Sequence, residues 1–136
     1  MSSPSIFRFV PTVLRFLLGL PLVAFGLMGL FAPMPTPPEL AEGAKAFSAA
    51  LAATGYMNPM IGGLQVVCGA LLLANRFVPL ALLLLAPFFV NSVLFHIVLE
   101  RTGLVPSLVF AGLELAVAWN YRGTFAAVLK ARNLPG

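Results

Sequence analysis

The sequence predicts an all-α membrane protein: a bundle of four transmembrane helices, with a short extracytoplasmic amphipathic helix between the first two. Three observations carry this reading. The chain is 60% hydrophobic and 9% charged with a mean hydropathy of +1.01, whereas a soluble domain carries about 25% charged residues. Its few charges leave long uncharged stretches: 23 residues between Arg15 and Glu39, 30 between Lys45 and Arg76, and 23 between Arg76 and Glu100. A fourth stretch of 20 residues, 102–121, is broken only by Glu114. The alternating pattern of a membrane β-barrel is missing, and in hydrocarbon only a helix satisfies its own backbone hydrogen bonds within one segment. The 136 residues make one membrane domain, 1–136, without a second.

A span needs about 20 mostly apolar residues, which places the spans at about 10–31, 58–75, 77–99 and 103–121. The first follows Arg8 and Arg15, yet no A-x-A site ends it and Pro33, Pro35, Pro37 and Pro38 come next. It is therefore expected to stay in place as a span rather than serve as a cleaved leader. Thr36-x-x-Glu39 then has the spacing of a capping box, with Pro37 at the first helical position. Leu40, Ala44, Phe47 and Leu51 form one apolar stripe, and Gly55 fits a C-terminal cap. This predicts an interfacial helix over about 37–54, lying in the interface or capping the bundle, or else serving as an ordinary linker helix.

Basic residues set the orientation. Arg8, Arg76, Arg122, Lys130 and Arg132 fall on one side of a four-span chain; Lys45 and Arg101 fall on the other, with Glu39, Glu42 and Glu100. The excess places both termini in the cytoplasm, in what is expected to be a bacterial inner membrane. Trp119 and Tyr121 then mark the inner interface and Tyr56 the outer one. Bases scattered singly at the edges of apolar runs anchor a membrane protein and do not form a nucleic-acid surface, despite a pI near 10.0. Membrane lipids are the expected surroundings.

Small residues mark helix-packing faces in membranes. Arg15, Gly19, Leu22, Gly26 and Gly29 share one stripe of the first span. Gly62, Gln65, Gly69 and Leu72 share one in the second, and Ser107, Ala111, Glu114 and Ala118 one in the fourth. Gly19, Gly26, Gly62 and Gly69 are thus expected at helix contacts, and Arg15, Gln65 and Glu114 inside the bundle. The third span is bulkier, with Phe88, Phe89 and Phe95, and carries Asn91, Ser92 and His96 in its outer half. At 1.5 Å per residue, Arg15 lies roughly 10 Å in, Glu114 about 12 Å, Gln65 about 16 Å, Asn91 about 22 Å and His96 near 30 Å. Arg15 and Glu114, level and opposite in charge, are expected to form an ion pair with Gln65 in hydrogen-bond reach. Such a pair serves either to fix register or to build a ligand or proton site.

Cys68 is the single cysteine and His96 the single histidine. A redox dithiol is therefore excluded, and no metal or haem site is expected within one chain. Cys68 reads as a buried structural thiol. His96 reads as an interfacial histidine, or as a proton or head-group contact near Asn91 and Ser92.

The RFLLG segment, the glycines that follow it, and FSAALAATGYMNP leading into GGLQVVCGALLLANR resemble the DoxX family of small four-helix bacterial membrane proteins, related to DoxD-type subunits. The resemblance covers about residues 12–122. It implies a histidine near the outer end of the third helix, which His96 matches, and a carboxylate in the second helix. Here that carboxylate is replaced by Gln65, which puts in doubt any proton transfer through that position. An amide still hydrogen-bonds a guanidinium.

The resemblance implies association with redox chemistry, although nothing in the residues transfers electrons. The first functional expectation is accordingly an accessory or assembly subunit of a larger membrane complex, docked on other membrane subunits or on copies of itself. The alternative is a subunit of an oxidoreductase that binds a quinone- or lipid-like amphipathic ligand between its helices, near Arg15, Gln65, Glu114, Asn91 and His96. No autonomous catalytic constellation is present. Four spans without an internal repeat make a transporter the least favoured reading.

Overall fold

In a computed structural model that describes residues 6–32, 37–132 and 134–135, the first span runs longer than its apolar core requires. Helix α1 covers Ile6–Phe31 and contains Pro11 and Pro21. Helix α2 follows at Glu42–Ala53, then α3 at Met57–Ala74, α4 at Val78–Val98, α5 at Leu104–Trp119 and α6 at Arg122–Val128. There are no strands among the described residues. Three helices, α1, α3 and α4, are each long and apolar enough to cross a membrane; α5 and α6 meet the criterion only together, across an 89° bend. This is a multi-pass membrane architecture.

The four long helices close into a ring: α1 packs on α3, α3 on α4, α4 on α5, and α5 back on α1. The α1–α3 seam is the most extensive, and its tightness comes from glycine. A Cβ on Gly19 would lie 3.1 Å from the Gly69 carbonyl oxygen, and one on Gly26 would lie 2.7 Å from that of Gly62. Because the helices run antiparallel, the pairs spaced seven apart on each chain segment meet crosswise, Gly19 with Gly69 and Gly26 with Gly62. Backbone touches backbone at both levels, which is how helices gain contact energy where lipid removes the hydrophobic drive. Leu18, Leu22, Cys68, Leu72, Leu82 and Leu85 fill the centre, all buried. Leu17, Leu20, Leu84 and Val90 face outward, an apolar exterior suited to hydrocarbon.

The amphipathic helix starts later than expected. Thr36 of the anticipated capping box lies outside the described residues. Pro37 to Leu40 form a turn, with Leu40 N–H donating to the Pro37 carbonyl at 3.2 Å. The reason is steric: Pro38 disfavours the helical region for Pro37, so the helix restarts beyond Ala41. Its far end behaves as expected, with Gly55 at φ +74° just past the last turn. Ala44 is fully buried and Phe47 packs on Phe95 with ring centroids 5.4 Å apart. Helix α2 therefore docks over the end of the ring formed by the α3 N-terminus and the α4–α5 connection.

At the opposite end, Asn75 caps α3 in the left-handed conformation, and Arg76 N–H closes back on the Leu71 carbonyl at 3.0 Å. Phe77 follows, also left-handed at φ +50°, so the chain reverses within three residues. Tyr121, at the bend between α5 and α6, donates to Asn75 Oδ1 at 3.4 Å and ties the bend to this turn. The guanidinium of Arg122 stands 5.3 Å from the Trp119 ring centroid. Helix α6 had no counterpart in the sequence expectation, where these residues read as tail.

Candidate functional site

Three polar locations emerge where one cluster was expected. Arg15 is buried, 8% exposed, and donates from Nη1 to the Leu72 carbonyl at 2.7 Å, with Nη2 3.5 Å from Thr12 Oγ1. Leu72 lies in the last turn of α3, where unpaired carbonyls and the negative end of the helix dipole gather. The guanidinium satisfies that terminus and forms no ion pair with Glu114. Glu114 has Cys68 as its neighbour on α3, beside Gly69, which faces Gly19 one turn beyond Arg15. The arginine side chain leans the other way, toward its own N-terminus and Thr12. Its charge snorkels one turn toward the interface, leaving the carboxylate behind. Gln65 hydrogen-bonds neither of them.

Glu114 on α5 is 7% exposed, and its Oε1 is the one fully buried side-chain oxygen without a hydrogen-bond partner among the described residues. It faces the α4–α5 groove, with Cys68 of α3 behind it. Cys68 is a buried free thiol.

The third location is a cavity of about 460 Å³ between α1, α4 and α5, with α3 contributing Gln65. It lies within the size range of small-molecule sites, about 300–1,000 Å³. Its polar groups are Gln65, Ser92, His96 and Ser107, and Phe25, Phe88, Phe89 and Phe110 supply aromatic wall. Ser92 and Ser107 bridge α4 to α5 with their hydroxyl oxygens 3.0 Å apart.

His96 is the most constrained of these side chains. Its Nδ1 lies 2.9 Å from the Glu100 carbonyl oxygen. A carbonyl only accepts, so Nδ1 carries the proton and Nε2 is left with its lone pair in the neutral ring. The imidazole packs against Gly103, where a Cβ would overlap its Cε1, and lies edge-on to Phe95 at 5.1 Å. The turn beneath is organised by Glu100. Its carboxylate accepts from Thr102 Oγ1 at 2.5 Å, Thr102 N at 3.2 Å and Gly103 N at 3.3 Å, and lies 3.9 Å from His96 Nδ1. Those donors, the Thr102 hydroxyl foremost, hold the Glu100 carboxyl below the usual glutamate range.

Gln65 and His96 thus share one cavity, and Asn91 does not join them. Asn91 is exposed and borders a shallow hollow with Phe47 and Phe95. One residue turns a helix by 100°, so with Phe88, Ser92 and His96 facing inward, Asn91 is rotated out. Gly103 and Phe110 were missed. Their signal was indirect: a glycine is required opposite the imidazole, and Phe110 lies on the same face of α5 as Ser107. Among the described residues no cluster of three His, Cys, Asp or Glu side chains able to hold a metal is present.

Comparison with protein-family models, curated proteins and solved structures yields no match.

Proposed function

We propose that this protein is a non-autonomous subunit of a bacterial inner-membrane oxidoreductase that binds an amphipathic, quinone- or lipid-like molecule in the cavity between α1, α4 and α5. One observation carries the proposal: four neutral hydrogen-bonding side chains, Gln65, Ser92, His96 and Ser107, converge on an otherwise apolar and aromatic cavity. An amide, two hydroxyls and an imidazole nitrogen match carbonyl or hydroxyl oxygens of an uncharged head group, and the phenylalanines match a ring or chain. The redox setting is the one that the DoxX resemblance of the Arg15 segment would imply. In this arrangement α5 with α6 makes the fourth span, both termini are cytoplasmic, and α2 covers the extracytoplasmic end, from which the cavity is reached. The chain binds and orients; a partner subunit would supply the redox centre.

Native mass spectrometry of protein extracted in mild detergent tests this. A reproducible added mass of a few hundred daltons, lost in Gln65→Leu while the fold is retained, is expected. An unliganded chain, or a mass that survives Gln65→Leu and His96→Ala alike, refutes it. Added masses of whole polypeptides with no small molecule make the protein an assembly subunit instead.

A further inference from the structure

Glu114 takes no part in that cavity. It borders two hollows in the groove between α4 and α5, of about 390 and 170 Å³, which share Ala86, Glu114 and Leu115. The carboxylate therefore divides one groove, open to the apolar exterior and widened by Ala86, Ala111 and Ala118. Every other lining side chain is hydrocarbon: Phe89 stands in the larger hollow and Phe125 in the smaller. A carboxylate 93% buried with an oxygen that accepts no hydrogen bond is costly in such surroundings, and charge is the complement it lacks.

We propose that this groove is a second binding site, which takes a lipophilic cation whose positive charge is embedded in alkyl or aromatic groups. A metal ion needs several ligands, and no such set exists among the described residues. An arginine or lysine head group brings five or three donors to a wall with one acceptor side chain. A quaternary onium needs none, and Phe89 and Phe125 add cation–π attraction. The occupant competes with a proton for Glu114. The other ionisable side chain facing it is the Cys68 thiol on α3; the groove walls from α4, α5 and α6 carry none, and the α1 guanidinium of Arg15 is spent on Leu72. Occupancy therefore rises with pH.

Tetraphenylphosphonium binding to the detergent-purified chain, followed by equilibrium dialysis, tests the site. Saturable binding is expected that weakens as pH falls and the carboxylate takes up a proton in place of the cation. Glu114→Gln should lower the affinity on the order of a hundredfold without altering elution or helicity. Ala86→Phe, which fills the groove and keeps the carboxylate, should block binding as well. No saturable binding, equal binding of neutral triphenylphosphine oxide, or undiminished binding in either variant overturns the proposal.

Discussion

Replacing Gly26 by alanine probes the seam that holds α1 on α3. The new Cβ would lie 2.7 Å from the Gly62 carbonyl oxygen, 2.8 Å from Val66 Cγ2 and 2.9 Å from the Val66 backbone nitrogen. Two of these atoms are backbone, so no rotamer change relieves the overlap. Ordinary contact begins near 3.4 Å, and reaching it from 2.7 Å requires the helices to part by about 0.7 Å. A gap of that size forfeits about a quarter to a half of each dispersion contact along the seam, and overpacking of this kind costs about 1–3 kcal/mol. Alanine returns about 1 kcal/mol as the better helix former, leaving Gly26→Ala destabilised by up to about 2 kcal/mol. Gly63 is the internal control. It adjoins Gly62, yet a Cβ there meets nothing within 4 Å, so Gly63→Ala keeps only the propensity gain of about 0.5–1 kcal/mol. Unfolding of both variants in mixed micelles of increasing SDS fraction, followed by far-UV circular dichroism, should shift their midpoints in opposite directions. A Gly26→Ala midpoint at or above that of the parent chain would refute the reasoning.

Two further outcomes follow from the polar groups. Arg15→Leu should cost about 1.5–3 kcal/mol through the lost charge-assisted bond to Leu72, Glu114→Leu should be neutral or stabilising, and in the double variant the two effects should add within about 0.5 kcal/mol; a coupling well above that would restore the ion pair. For Glu100, the depressed carboxyl means that the unfolded chain binds more protons than the folded one below the ordinary glutamate pKa of about 4.3. The Glu100 contribution is therefore present above that value and is lost as pH falls through the depressed one. Glu100→Gln should flatten the acid side of the stability profile, and an unchanged acid slope in the variant would sink the assignment.

The long helices were legible because hydrocarbon imposes a length and a composition on every helix that crosses it. Expected boundaries near 31, 58, 75, 77, 99 and 103 fall within one residue of the helix ends Phe31, Met57, Ala74, Val78, Val98 and Leu104, whereas those at 10 and 121 differ from Ile6 and Trp119 by four and two. The glycine stripe was legible for a similar reason, since few side-chain choices allow backbone contact. The polar groups were harder to read. Rise per residue gives only an approximate depth: Glu114 neighbours Cys68, about one turn from the Leu72 level where Arg15 binds, and the arginine side chain leans further away. The cavity drew on residues from four helices, among them Phe25, Gln65, His96 and Phe110, and a single chain carries no record of which faces will meet. Asn91 shows the angular limit, where one position along α4 turns a side chain from the cavity to the exterior.

The helices of this ring are unequal in a way that bears on its surroundings. At 1.5 Å per residue, α1 with its 26 residues extends about 39 Å, whereas α5 with 16 reaches about 24 Å before the chain turns by 89° into α6. The hydrocarbon of a bilayer is about 30 Å thick, so α1 exceeds that thickness, and in the proposed four-span arrangement the straight part of the fourth span falls short of it. In that arrangement the short flank is accommodated by thinner lipid, by snorkelling of Arg122 and its neighbours or by a partner, and the long one by tilt or taller lipid. A four-span protein of this shape would impose a thickness gradient around its own circumference. A membrane that meets this demand at low elastic cost would be thin or mixed in chain length, and a neighbour with the opposite mismatch would be drawn to the α5 side.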